Sequence, residues 1–110
     1  MKILCLGDSN TYGYDPRSFF GGCYDMPWPQ LLSEKSGWCV RNLGENGREI
    51  PRYPRNIPMD IDLLVIMLGT NDLLQGNSVE SIKKRMRSFL AGIDFEACKI
   101  LLIAPPPMKL

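Results

Sequence analysis

Four short apolar runs occur along the chain, and each has the length of a buried strand. They occupy residues 2–7, 38–43, 62–69 and 99–104. The third run, DLLVIML from Asp62 to Leu68, is continuous rather than alternating, which is typical of a strand that is covered on both faces. The fourth run is followed directly by three prolines, which end a strand. The hydrophobic pattern therefore predicts four strands of a buried sheet.

Two segments between these runs have helical features. The segment 29–36 (PQLLSEKS) is followed by Gly37, a common residue after the last turn of a helix. A longer amphipathic pattern begins at Asn77, which has the N-cap to N3 spacing of a capping box with Glu80. Apolar residues then recur at helical spacing, at positions 79, 82, 86, 89, 90 and 93. We therefore predict one short and one long helix.

The order strand, helix, strand, loop, strand, helix, strand predicts an α/β fold with a parallel sheet, in a single domain over residues 1–110. Residues 9–29 are rich in glycine, proline and aromatic residues and are predicted to be a long surface loop or a broken helix start. Residues 44–58 contain three prolines and two glycines and are predicted to be a loop. In such sheets ligands bind beyond the carboxyl ends of the strands.

A polar motif follows each of the first three predicted strands. The motifs are GDSN at 7–10, NLGENG at 42–47 and GTND at 69–72. Ser9 comes just after a buried strand and has small neighbours, so we expect its hydroxyl to be exposed at the end of the sheet. A serine hydroxyl needs an adjacent base to act as a nucleophile, and attack on an ester needs hydrogen-bond donors for the developing oxyanion.

In this order and context, the three motifs resemble those of the SGNH/GDSL serine hydrolase family, the GDSL-like lipases/acylhydrolases. The resemblance implies a three-layer, flavodoxin-like sheet of strand order 2-1-3-4. It implies an esterase, lipase or acylhydrolase that cleaves small ester or thioester substrates through an acyl-enzyme on Ser9, without a cofactor or metal. The implied oxyanion donors are the backbone N–H groups of Ser9 and Gly47 and the side chain of Asn71. Gly44 is the alternative to Gly47, although Gly47 fits the spacing from Asn42 better.

Several of these polar residues also have a structural interpretation. Asp8 and Asp72 are interpreted as turn-forming, hydrogen-bonding supports rather than catalysts. Asn10, a further support, could cap the segment after the nucleophile, as could Thr11. Gly47 could simply permit a turn with positive φ. Three aromatic residues could either line an acyl pocket or pack beneath the long loop: Phe19, Phe20 and Trp28.

The Asp and the His of the catalytic triad are the part of the family pattern that this sequence lacks. The family supplies an Asp and a His three residues apart late in the chain, and this sequence contains no histidine. The resemblance therefore implies an incomplete domain, truncated before a fifth strand, that is inactive as it stands. The alternative is a non-catalytic α/β binding domain, a pseudoenzyme that retains the oxyanion pocket. A nucleotide binder is disfavoured, because no GxGxxG loop follows the first strand.

Charge and composition limit the possible partners and the location of the protein. The net charge of +1 gives no reason to expect nucleic acid, and no stretch is long enough for a membrane span. Four cysteines without a CxxC pair indicate reduced thiols and a cytoplasmic location. The unpaired apolar edge of the fourth strand is expected to self-associate with a neighbouring chain, to be covered by a rearranged terminus, or to reduce solubility. One basic cluster is interpreted as the solvated face of the long helix: Lys83, Lys84, Arg85 and Arg87.

Overall fold

The computed structural model describes residues 1–14, 22, 25–52, 60–93 and 99–105. Its strands are β1 (Lys2–Gly7), β2 (Cys39–Gly44), β3 (Leu63–Met67) and β4 (Lys99–Leu102). They form one sheet of order β2-β1-β3-β4 in which every pair is parallel. The fold class and strand order predicted above are therefore confirmed. Some residues discussed above lie outside the described ranges: Phe19, Phe20, Cys23, Cys98 and residues 53–58.

The described helices are α1 (Ser9–Tyr12), α2 (Trp28–Ser36), α3 (Thr70–Leu74) and α4 (Val79–Ala91). The predictions of α2 and α4 are confirmed within one or two residues at each end. Gly37 ends α2 with a φ of 74°, a left-handed conformation that suits glycine. Within the described ranges, no helix has both the length and the apolar character that crossing a membrane requires.

The two faces of the sheet carry separate cores, because alternate side chains of a strand point to opposite sides. Trp28 and Leu32 of α2 pack against one core. Phe89 of α4 belongs to the other. The smaller core contains Ile3, Cys5 and Val65. The larger contains Leu4, Leu6, Ile50, Ile61, Leu64, Ile66, Leu68, Phe89 and Ile93. The sheet therefore has a helix on each face, as a three-layer fold requires.

The start of α4 differs from the prediction, and the assignment of Asn77 as its N-cap is wrong. Ser78 is the N-cap, and its Oγ accepts a hydrogen bond from the backbone N–H of Ser81 at 3.1 Å. Asn77 instead donates from Nδ2 to the Asp72 carbonyl at 2.9 Å and accepts from Arg85 Nη2 at 2.9 Å. Serine and asparagine are comparable caps, so tertiary contacts decide between them.

The segment after β1 begins with a helical turn, which agrees with the second of the two possibilities for residues 9–29. The N-cap of α1 is Asp8, whose Oδ1 accepts from the backbone N–H of Asn10 at 3.0 Å. The expectation that Asn10 or Thr11 caps this segment is therefore wrong.

The end of β3 also differs from the prediction, because the chain turns sooner than the apolar run suggests. Gly69 has a φ of 126°, which residues other than glycine rarely adopt, and it leads directly into α3. The hydrophobic pattern does not predict α3. Its consequence is that Asn71 and Asp72 lie on a helical turn rather than in an extended loop.

Candidate active site

The three polar motifs lie at one end of the sheet. In the strand register Gly7 of β1 lies opposite both Gly44 of β2 and Met67 of β3, so these strands end in one row. Ser9, Gly47 and Asn71 each follow the carboxyl end of one of the three strands. The structure therefore places the three predicted site residues beyond the same end of the sheet.

Ser9 is the first residue of α1 and is half-buried, directly after the buried Asp8. The Asp8 carbonyl accepts from the N–H groups of Thr11 at 3.1 Å and Tyr12 at 2.9 Å, which close the first turn. An N–H group at the start of a helix has no intrahelical carbonyl partner. The Ser9 N–H thus remains a donor for groups outside the helix.

Close packing at this end of the sheet depends on two glycines. A Cβ at Gly7 would lie 2.0 Å from Thr11 Oγ1, and a Cβ at Gly44 would lie 2.2 Å from the Tyr12 nitrogen. Both distances are far below van der Waals contact. α1 can therefore pack against the ends of β1 and β2 only because Gly7 and Gly44 have no side chains. Asn42 adds a hydrogen bond from Nδ2 to the Thr11 carbonyl at 2.9 Å.

The two glycines of the second motif have different surroundings. The Gly44 N–H is engaged, because it donates to Asn42 Oδ1 at 2.7 Å. Gly47 has a φ of 79° in an exposed turn, and a Cβ there would meet no atom within 4 Å. In the described part of the chain, no acceptor binds the Gly47 N–H. Of the two, Gly47 is the one with an uncommitted N–H group.

Asn71 and Asp72 connect the third motif to the loop after β2. Asn71 donates from Nδ2 to the Arg48 carbonyl at 3.0 Å. The fully buried Asp72 carboxylate accepts from the Ile50 N–H at 3.2 Å and from Arg85 Nη1 at 3.2 Å. A buried carboxylate with a guanidinium and a backbone N–H as donors makes strong, charge-assisted hydrogen bonds. The turn after β3 is therefore attached to the loop after β2 at two adjacent residues.

Arg48 connects the second motif to the first, and the sequence reasoning did not find it. Its Nε donates to the Gly7 carbonyl at 3.1 Å, and its Nη2 donates to the Leu43 carbonyl at 3.4 Å. The only sequence feature that points to Arg48 is its position directly after Gly47, which is a weak signal.

The basic cluster on α4 is exposed at all four residues, and Arg85 has a buried partner as well. Arg85 is exposed, as the interpretation requires, but it also contacts the buried Asp72 at 3.2 Å and lies 3.9 Å from Glu49. Lys83 pairs with Glu80 at 3.6 Å, and both side chains are exposed. A cleft of about 490 Å³ lies beside Arg85, between α4 and the loop after β2, and Ser9 does not line it.

The model of the GDSL-like lipase/acylhydrolase family matches residues 5–109. The chain belongs to this family. It is similar to a carbohydrate acetylesterase family member from Sinorhizobium meliloti, with a TM-score of 0.78 and 25% identity over 98% of this chain and 64% of that one. It is also similar to an aryl esterase of M. smegmatis, with a TM-score of 0.74 and 25% identity over 96% of this chain. The chain spans 64% of either solved structure, and no curated protein sequence matches it significantly.

Proposed function

We propose that Ser9 is the nucleophile of an ester hydrolase and that Gly47 and Asn71 help to bind the oxyanion of its reaction. The observation that carries the proposal is the hydrogen-bonded link between the three motifs. Asn71 donates to the Arg48 carbonyl, and Arg48 donates to the Gly7 carbonyl, two residues before Ser9. In a chain of the GDSL-like family, this link supports one shared site at the end of the sheet.

The proposed reaction uses these groups in sequence. Ser9 Oγ attacks the ester carbonyl carbon, the π pair moves onto the carbonyl oxygen, and the hydroxyl proton passes to a base. The N–H groups of Ser9 and Gly47 and the Asn71 side chain stabilise the oxyanion, each donor by roughly 2.7–4 kcal/mol. Collapse expels the alcohol or thiol, which takes up a proton, and water hydrolyses the acyl-serine by the same steps.

The reaction needs a base to accept the Ser9 proton, and the sequence contains no histidine that could act as that base. We therefore propose that the 110-residue chain hydrolyses esters slowly. Donors and substrate binding without a complete triad leave a residual acceleration of about 10³–10⁴ over water.

The substrate class is proposed from the structural relatives, which are described as a carbohydrate acetylesterase and an aryl esterase. The first description indicates an acetyl group and the second an aryl leaving group, and acetyl and aryl esters are therefore the first substrates to assay. Thioesters of the same acyl groups react through the same steps.

The second candidate is a non-catalytic binding domain that retains the oxyanion pocket. The lack of histidine favours it, because a serine hydroxyl without a base is a weak nucleophile. This candidate predicts that small acyl ligands bind without any turnover that depends on Ser9.

Hydrolysis of phenyl acetate in the presence of added imidazole separates the two candidates, since imidazole can accept the Ser9 proton in place of a histidine. The wild-type chain should exceed the imidazole-only rate, and Ser9→Ala should remove that excess. Ser88→Ala, an exposed serine on α4, is the matched control and should retain it. Equal rates for wild type and Ser9→Ala would reject the nucleophile and leave the binding domain.

We also propose that the outer edge of β4 pairs with a second copy of the chain. No described strand pairs with that edge, and the side chains of Leu101 and Leu102 are each 49% exposed. Unpaired backbone groups beside exposed apolar side chains are a template for another strand. In sedimentation velocity experiments, Leu101→Lys should shift the chain towards monomer, whereas Leu31→Lys on α2 should not. A wild-type chain that stays monomeric at high concentration would reject the pairing.

A further inference from the structure

We propose that Arg48 is a positioning residue that holds the three motifs of the site in their relative positions. This inference rests on the function proposed above. Arg48 contacts every motif. Its side chain donates to the ends of β1 and β2, and its carbonyl accepts from Asn71 after β3.

The guanidinium of Arg48 binds carbonyl groups at the ends of two neighbouring strands. Nε lies 3.1 Å from the Gly7 oxygen, and Nη2 lies 3.4 Å from the Leu43 oxygen. A guanidinium is planar and carries its donors in a rigid fork, so it sets the separation of two acceptors in a way that an ammonium group does not. Arg48 thereby fixes the end of β1, and with it Ser9, relative to the end of β2.

Glu45 keeps this guanidinium in place. Its Oε2 lies 2.7 Å from Arg48 Nη2, and the Arg48 N–H donates to the Glu45 carbonyl at 3.2 Å. The side chain of Arg48 is 26% exposed, whereas that of Glu45 is 66% exposed. Arg48 is therefore the more buried partner of the pair, and the turn between the two residues is closed by a hydrogen bond as well as an ion pair.

The carbonyl of Arg48 sets the direction of the Asn71 amide. The Nδ2 group carries two N–H bonds in the amide plane. Since one of them donates to the Arg48 oxygen at 3.0 Å, the direction of the other is fixed. Gly47 is bonded directly to Arg48, so a displacement of Arg48 moves two of the proposed oxyanion donors together.

Loss of the Arg48 side chain should disturb this alignment without unfolding the sheet. The Gly7 carbonyl would still accept from the Glu45 N–H at 3.1 Å, and Asn42 would still donate to Thr11. The strand end therefore keeps a partner for its buried acceptor, and only the spacing of the motifs is released. A misplacement of about 1 Å at a reacting centre reduces the rate by about a hundredfold.

The kinetic test uses the Ser9-dependent, imidazole-supported hydrolysis of phenyl acetate. Arg48→Ala should lower kcat by about tenfold to a hundredfold with KM within about twofold of wild type. Arg48→Lys should recover part of the loss, because an ammonium group can still bind one of the two carbonyls. Arg52→Ala, an exposed arginine of the same loop, is the control and should match wild type. An unchanged kcat in Arg48→Ala, or a loss that matches a fall in the folded fraction, would overturn the proposal.

An NMR measurement separates this inference from the esterase proposal. If Ser9→Ala does not lower hydrolysis, the esterase proposal fails, and Arg48 is judged by the two side-chain amide resonances of Asn71. Positioning by Arg48 predicts that Arg48→Ala shifts these resonances more than Arg52→Ala does. Equal shifts in the two variants would overturn it.

Discussion

The central strand β3 and the edge strand β4 have similar sequences and different surroundings. The run DLLVIML around β3 and the run KILLIA around β4 are both apolar. Four of the five residues of β3 are buried, whereas no residue of β4 is. β3 lies between two strands and contributes to both cores, while among the described strands β4 has a neighbour on one side only. An apolar run therefore specifies a strand, and its place in the sheet decides how much of it is buried.

β2 is the other edge strand of the described sheet, and unlike β4 it contributes its carboxyl end to the site. β2 also has no buried residue along its length. Its carboxyl end is nevertheless anchored, because Asn42 donates to Thr11 and Arg48 donates to the Leu43 carbonyl. Over the described residues, no side-chain hydrogen bond anchors β4 in the same way. Polar side chains at a strand end, more than burial of the strand, thus distinguish the three strands of the site from the fourth.

The largest expected effect tests the difference in burial. Leu64 of β3 is 0% exposed and Leu101 of β4 is 49% exposed, so one substitution can be compared at both sites. Leu64→Ala should lower the free energy of unfolding by about 3 kcal/mol, because it removes buried methyl groups and leaves a cavity. Leu101→Ala should lower it by less than about 1 kcal/mol. Urea unfolding measures both, and equal losses would contradict the comparison.

The second prediction concerns the polar anchors after β3. Asn71→Ala should reduce Ser9-dependent hydrolysis of phenyl acetate by about a hundredfold, since one oxyanion donor is lost. The free energy of unfolding should change little, because the side chain makes one described hydrogen bond. Gln75→Ala, an exposed residue just after α3, is the control and should keep the wild-type rate. A normal rate in Asn71→Ala would remove this residue from the site.

The third prediction tests how the end of β2 is anchored. A Cβ at Gly44 would lie 2.2 Å from the backbone nitrogen of Tyr12, which cannot move aside as a side chain could. Gly44→Ala should lower the free energy of unfolding by about 2 kcal/mol through overpacking. It should also lower the Ser9-dependent rate, because α1 is displaced. Gly37→Ala, with open space around the Cβ, should cost about 1 kcal/mol through its positive φ and leave that rate unchanged.

The smallest expected effect is a difference in thiol reactivity between Cys5 of the central strand β1 and Cys39 of the edge strand β2. Burial raises the pKa of the Cys5 thiol from 9.0 to about 11, whereas Cys39 of β2 is exposed. At pH 8 only about one in a thousand Cys5 side chains would be thiolate, the reactive form. Iodoacetamide should therefore modify the tryptic peptide 36–41 well before the peptide 3–17. Denaturation before labelling should remove the difference, and equal labelling of the native chain would contradict the burial of β1.

Much of the fold could be predicted because its signals are local. The apolar runs, Gly37 after α2 and the spacing of apolar residues in α4 each depend on neighbouring residues. The helix α3 was missed, because it is five residues long and begins at a glycine whose φ cannot be read from the sequence. The predicted site residues Ser9, Gly47 and Asn71 follow from motifs, and the structure places them beyond one end of the sheet.

The sequence by itself determined the strands, the two longer helices and the order of the three motifs, since each is a pattern of adjacent residues. Only the tertiary structure decided which polar groups meet. Arg48 reaches Gly7, which lies 41 residues earlier, and Asn71 reaches Arg48 across 23 residues. Asn77 does not cap α4, because its side chain is hydrogen-bonded to Asp72 and Arg85. Such contacts depend on how the strand ends are arranged in space, and the spacing of residues along the chain does not contain that information.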